Sequence, residues 1–182
     1  MARLILLDRD GVINAESEAF IKDAAEWHAL PGALAAIAQL KRRGFQVAVC
    51  SNQSGVGRGL MSEAALARIH EKLLAGLAEH GVALDAVRYC PHHPDDGCHC
   101  RKPRPGMLLE IMAELGVAAS DTVFVGDSLR DLEAAAAAGC RSALVRTGNG
   151  TAAEAQAAVM GIVWVGDDLG AFARWAGEHL AC

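Results

Sequence analysis

Near its start the chain carries Leu4-Ile5-Leu6-Leu7, four apolar residues without a polar break, and the run ends abruptly at Asp8. A strand with one wet face alternates apolar and polar residues, so an unbroken run closed by a charge predicts a strand buried on both faces. Similar short runs recur at Gln46 to Cys50, Ala86 to Tyr89, Thr122 to Val125, Ser142 to Val145 and Ile162 to Val165. Helical periodicity lies between them, over Ala33 to Arg43, Ser62 to His80, Pro105 to Leu115, Leu129 to Ala138 and Asp168 to Glu178. Stop and start signals fit these bounds: Pro31-Gly32 before the first helix, Gly44 after it, Ser62 as an N-cap and Gly139 as a terminator. Strands alternating with helices predict an α/β fold of three layers, a central parallel sheet with helices on both faces. With 182 residues and no linker, repeat or second core, residues 1–182 are expected to form one domain.

In such sheets ligands bind just beyond the C-terminal ends of the strands. Three polar segments lie there. Asp8-Arg9-Asp10-Gly11 follows the first strand, Ser51-Asn52-Gln53 the second, and Gly126-Asp127-Ser128 with Asp131 the fourth. Carboxylates gathered at one edge suit a hard divalent cation, and Mg²⁺ takes oxygen ligands and keeps some of its waters. Asp8 and Asp127 can offer side-chain oxygens and Asp10 its backbone carbonyl, while Asp131 can orient the others or reach a metal-bound water. A carboxylate such as Asp8 is also a nucleophile toward phosphorus, forming an acyl phosphate. The Asp10 side chain is then free to protonate the leaving oxygen and later to activate water. Ser51 can donate to a phosphoryl oxygen, and Lys102 can neutralise charge in the transition state.

Those motifs, Asp8-Arg9-Asp10-Gly11, Ser51, Lys102 and Gly126-Asp127 with Asp131, stand in the order found in the haloacid-dehalogenase-like phosphatases, which the chain resembles over nearly its whole length. The resemblance implies a Rossmann-like fold, Mg²⁺ dependence, Asp8 as nucleophile and Asp10 as general acid and base.

A second metal signal lies in the loop after the third strand. Cys90, His92, Cys98 and Cys100 make three thiolates and one imidazole, a closed tetrahedral set for structural Zn²⁺. His93 and His99 are alternatives that the spacing leaves open. The loop runs directly into Arg101-Lys102, so a metal there would fix both cations. The same C-x-H and C-x-C loop resembles that of a branch of the family holding heptose-bisphosphate and histidinol-phosphate phosphatases. Asp10-Gly11-Val12-Ile13-Asn14, Asn52 to Gly59 and Arg101 to Met107 resemble the heptose enzymes more, which implies loss of the C7 phosphate from a heptose 1,7-bisphosphate. Histidinol phosphate is the alternative, because only five residues separate His92 from Cys98. Arg101, and Arg58 for a second phosphate, would bind substrate, with Asn52 and Glu16 beside them. No large cap insertion is present, so a flap from Glu16 to Lys22 and the metal loop should wall the pocket. Trp27 is expected to anchor that flap.

The net charge of −5 and scattered Lys and Arg speak against a nucleic-acid partner. The apolar run after Met1 is too short for a secretory core, and no stretch reaches membrane-spanning length. A cytoplasmic enzyme acting on a small phosphosugar is expected, as a monomer by its resemblance.

Overall fold

The computed structural model describes residues 3–17 and 19–180. Six strands form one sheet: β1 (Leu4–Leu7), β2 (Gln46–Asn52), β3 (Ala86–Cys90), β4 (Thr122–Gly126), β5 (Arg141–Val145) and β6 (Trp164–Gly166). Their order is β3-β2-β1-β4-β5-β6 and every pairing is parallel. The helices are α1 (Ala33–Arg42), α2 (Glu63–Glu79), α3 (Gly106–Leu115), α4 (Leu129–Ala138), α5 (Gly150–Ala157) and α6 (Leu169–His179).

The all-apolar strands do what the sequence predicts. Along β1, Ile5 and Leu7 pack into a core with α1, α2 and α6, while Leu4 and Leu6 face a second core built with α3 and α4. Every β1 side chain is fully buried. Helix starts are locally encoded: Ser62 Oγ accepts from Ala65 N–H at 3.1 Å, and the Asp168 carboxylate accepts from Ala171 N–H at 2.7 Å.

Sequence and structure differ most at α5, which the periodicity does not announce. Gly150–Ala157 is mostly alanine and polar, and apart from Gly150 only Ala153 and Ala157 are buried, so no wide apolar stripe marks it. The last strand also lies later than expected, at Trp164–Gly166.

The register places the site. Leu7 is level with Val49 on one side and Val125 on the other. Asp8, Ser51 and Asp127 therefore emerge at one edge of three adjacent strands. β1 and β4 flank the point where strand order reverses, which opens a crevice between outgoing chains. The expected flap is an irregular segment pinned at Trp27, which is 3% exposed, while Lys72 Nζ donates to the Ala24 and Trp27 carbonyls, each at 2.7 Å. Glu18, within that flap, lies outside the described residues.

Because β1 is buried on both sides, Leu6→Ala should remove about 2–5 kcal/mol of stability. Urea unfolding would show a lower midpoint at unchanged slope; a loss below about 1 kcal/mol would mean that the second core collapses around the gap.

Candidate active site and metal centres

The centre of the crevice is Lys102, 2% exposed. Its ammonium lies 2.9 Å from Asp8 Oδ2 and 2.7 Å from Asp131 Oδ1, and donates to the Cys50 carbonyl at 3.0 Å. Burial alone would lower its pKa, but the two carboxylates win and raise it, so the lysine is firmly charged. Asp131 holds two jobs. Its Oδ2 accepts from Asp127 N–H, Ser128 N–H and Ser128 Oγ–H at 3.2, 3.1 and 2.7 Å, capping α4. Against the desolvation of burial, the charge of Lys102 keeps its carboxyl below the ordinary range.

Asp8 and Asp127 sit differently. Burial raises the Asp8 carboxyl well above its usual value; Lys102 opposes the rise, and Asp131 and Asp127 add to it. Asp127 is pushed up to about 6, again chiefly by burial, although Asn149 N–H and Nδ2 donate to its Oδ2 at 2.8 and 3.2 Å. Carboxylate oxygens of Asp8, Asp127 and Asp131 lie within 4.8 Å of one another. One lysine does not balance three such groups, and an all-oxygen donor set of that span fits a hard divalent cation. The chain is cut close around Asp127: a Cβ on Gly11 or on Gly148 would come within 2.1 Å of Asp127 Oδ2. Both glycines have positive φ, so both positions need glycine for shape and for space.

Asp10 lines the same pocket but is not part of that carboxylate cluster. Arg9, fully buried, reaches Asp10 Oδ1 through Nε and Nη2 at 3.2 and 2.9 Å, and Asn14 Nδ2 donates to the same oxygen at 2.8 Å. Gln53 Nε2 donates to Asp10 Oδ2 at 2.7 Å and to Ser51 Oγ at 2.6 Å. Ser51 thus accepts from Gln53 and keeps its own hydroxyl proton to give. It is nearly fully buried, and it is Asn52 that lines the inner pocket with Asp8, Asp10 and Lys102. Asn52 also clamps Lys102, accepting from its N–H at 3.0 Å and donating to its carbonyl at 3.1 Å.

Glu16 lies on the wall of both the inner pocket and the chamber outside it, and Arg101 on that of the outer chamber. Burial, then the charges of Asp127 and Asp10, push the Glu16 carboxyl up to about 7. Arg58 lies farther out, its guanidinium 5.8 Å from the Phe20 ring centre and its Nε 3.4 Å from Ser54 Oγ. Sequence reasoning assigned no role to Arg9, Asn14, Gln53, Asn149 or Arg130. Asn149 had a usable signal, since Thr147-Gly148-Asn149-Gly150 follows β5 at the same sheet edge.

The cysteine loop closes on itself. The Sγ atoms of Cys90, Cys98 and Cys100 lie 3.2–3.5 Å apart, and His92 Nδ1 is 3.5 Å from Cys90 and 3.2 Å from Cys100. Four donors at about 2.0–2.3 Å from a tetrahedral ion would be separated by roughly 3.3–3.8 Å. His93 instead caps the short turn Pro94–Asp96, and His99, largely exposed, faces Glu110 at 3.2 Å. Burial and its neighbouring thiols push Cys100 up to about 12, a strain that a bound cation would relieve.

Comparison with known proteins agrees with this geometry. A family model described as HAD-hydrolase-like matches residues 99–172. The chain is 50% identical over 94% of its length to the D-glycero-beta-D-manno-heptose-1,7-bisphosphate 7-phosphatase of Bordetella bronchiseptica, covering 96% of that protein. It is 47% identical over 94% of its length to the protein of the same name from Pseudomonas putida, covering 98% of it. The crystal structure of the B. bronchiseptica D,D-heptose 1,7-bisphosphate phosphatase, complexed with magnesium and phosphate, superposes with a TM-score of 0.93 at 49% identity, covering 97% of this chain and 98% of that one.

The raised carboxyls give the metal a pH signature. A carboxyl whose native pKa lies above its unfolded value favours the fold at low pH, and that contribution is lost as pH rises through the native value, here about 6 for Asp127. Mg²⁺ held by the ionised cluster would offset the loss. The rise in melting temperature caused by Mg²⁺ should therefore be small at pH 5 and several-fold larger at pH 7.5; an equal rise at both would show that these carboxylates do not hold the ion.

Proposed function

This chain belongs to the HAD-like phosphatases, in the family of the D-glycero-beta-D-manno-heptose-1,7-bisphosphate 7-phosphatases, and on that premise we propose that it removes the C7 phosphate of D-glycero-D-manno-heptose 1,7-bisphosphate to leave heptose 1-phosphate. The observation that carries this reading is the split between two carboxylates two residues apart. Asp8 sits on a buried lysine within a metal-capable cluster, whereas Asp10 turns to a separate set of donors at the pocket edge. One is placed to attack and the other to move a proton. Relatives at 44–50% identity carry the heptose name, which favours this substrate over histidinol phosphate.

Asp8 attacks phosphorus, and the bond from phosphorus to the C7 oxygen breaks as the Asp10 carboxyl gives that oxygen a proton. The Asp10 carboxylate then takes a proton from water as the water attacks the aspartyl phosphate, releasing inorganic phosphate and restoring Asp8. Mg²⁺, held by Asp8, Asp127 and the Asp10 carbonyl with Asp131 orienting them, supplies charge neutralisation between carboxylate and phosphoryl oxygens when bound. Lys102 and the Ser51 hydroxyl hold phosphoryl oxygens, and Asn52, Glu16, Arg101 and Arg58 meet the sugar and its second phosphate. Cys90, His92, Cys98 and Cys100 would hold Zn²⁺, which would fix the turn presenting Arg101 and Lys102, and four protein ligands would leave no position for a reacting water. No helix among the described residues is long and apolar enough to cross a membrane. We place the enzyme in the cytoplasm as a monomer, without a nucleic-acid partner.

Phosphate release from heptose 1,7-bisphosphate with Mg²⁺ should vanish in Asp8→Asn and fall on the order of 100- to 10,000-fold in Asp10→Asn. Faster release from histidinol phosphate would overturn the substrate, and turnover by Asp8→Asn would overturn the mechanism. Elemental analysis should find one zinc per chain, lost in Cys100→Ser together with a lower melting temperature; full zinc in that variant would refute the ligand set.

A further inference from the structure

The inner pocket opens into an outer chamber of about 260 Å³, and Asp10, Glu16, Asn52 and Arg130 wall both. Arg101 stands on the outer chamber's wall, with Phe20 opposite in the flap. We propose that Arg130 is the residue that makes this enzyme prefer a bisphosphate, its guanidinium joining Arg101 to receive the phosphate that is not hydrolysed. The inference rests on the phosphatase reading above and adds to it a residue that the sequence did not single out.

Arg130 is in the wrong place for an ordinary surface cation. It is the second residue of α4, where the helix dipole presents its positive end and acidic side chains are favoured. Among the described residues it makes no hydrogen bond or ion pair, although Arg146 pairs with Glu154 and Asp167, and Arg88 with Glu110 and Glu114. Its electrostatic neighbours are partly of like sign. Arg101 feels the positive charges of both Arg130 and Arg58 and is itself half-buried. Arg101 Nη1 is buried without a hydrogen-bond partner. Of opposing charges, Arg130 acts on Glu16 and Asp131, and Asp131 is already engaged by Lys102 and the α4 cap.

Like charges gathered at a half-enclosed wall, one with an unpaired buried donor, raise the free energy of the empty site. A dianion bridging Arg101 and Arg130 removes that cost, and guanidinium forks fit phosphate oxygens in pairs. Because Arg130 borders both spaces, it can hold a second phosphate on a sugar whose first phosphate lies on Asp8 and Lys102. A monophosphate offers nothing to this arginine. The contact therefore bears on choice of substrate, not on the chemical step.

The test compares kcat/KM for heptose 1,7-bisphosphate and heptose 7-phosphate in wild type, Arg130→Ala and Arg130→Gln. The ratio of the two values should exceed one in wild type and fall on the order of 10- to 100-fold in both variants, the range of a charge-assisted hydrogen bond. Arg130→Lys should recover part of it, since it keeps a point charge without the fork. An unchanged ratio, or equal losses on both substrates, would overturn the inference. If wild type ignores the heptose pair yet prefers fructose 1,6-bisphosphate to fructose 6-phosphate, the ratio is read on that pair. A fall there upholds the role of Arg130 while the heptose assignment fails. Wild type without preference for either bisphosphate sinks the inference.

Discussion

A single buried ammonium holds this site together. Lys102 touches the end of β1 through Asp8, the end of β2 through the Cys50 carbonyl, and the start of α4 through Asp131. Burying an unpaired cation is prohibitively costly, and burying a well-paired one still costs desolvation of all partners. The arrangement is stable only as a whole. Take the lysine away and two carboxylates face each other in a dry crevice; take Asp131 away and the lysine loses one of its two carboxylates while the α4 N-terminus loses its cap. Such mutual dependence holds the Asp8 carboxylate within narrow limits, as the nucleophile of the proposed reaction would need.

Lys102 is itself presented by two devices of different chemistry. Asn52 grips its peptide group on both sides, and the cysteine loop ends two residues before it. The clustered sulfur donors lie in that loop and the clustered carboxylates at the strand ends, so by donor type each centre would select its own class of ion. The sites are coupled through the short chain from Cys100 to Lys102. The first is closed and shapes the backbone; the second has oxygen donors and room beside them for phosphate.

The legible part of this molecule is the part where one residue type has one meaning. An unbroken Leu4–Leu7 run ending at Asp8 fits a buried parallel strand, and the carboxylates at strand ends could be read directly from their place in the alternation. Cys90, His92, Cys98 and Cys100 were equally plain, although setting His93 and His99 aside needed three dimensions, because His93 is taken up in capping Pro94–Asp96 and His99 faces Glu110. What escaped has a common cause. Helix α5 is alanine-rich and nearly without a stripe, so it carries weak periodicity. Asn149, Gln53 and Asn14 act by hydrogen bonds to residues far along the chain, and a neutral amide advertises no such partner. Arg130 looked like one exposed arginine among many until the fold set it beside Arg101.

Selection in so open a site has to be electrostatic. A large cap would enclose the substrate and read its shape; here the walls are the flap, the chain after β2, Arg101 just past the cysteine loop, and the start of α4, while the loop itself lines neither the inner pocket nor the outer chamber, contrary to the sequence expectation. The chain as a whole carries a charge of −5, so its far field repels a phosphosugar and cannot draw it in. Attraction must act within about a Debye length, roughly 8–10 Å, from cations fixed at the pocket itself. Under the proposed mechanism, Lys102 and a bound Mg²⁺ would hold the reacting phosphate of any monoester. Discrimination would then be left to charges outside the inner pocket, and Arg101 and Arg130 stand on the outer chamber's wall.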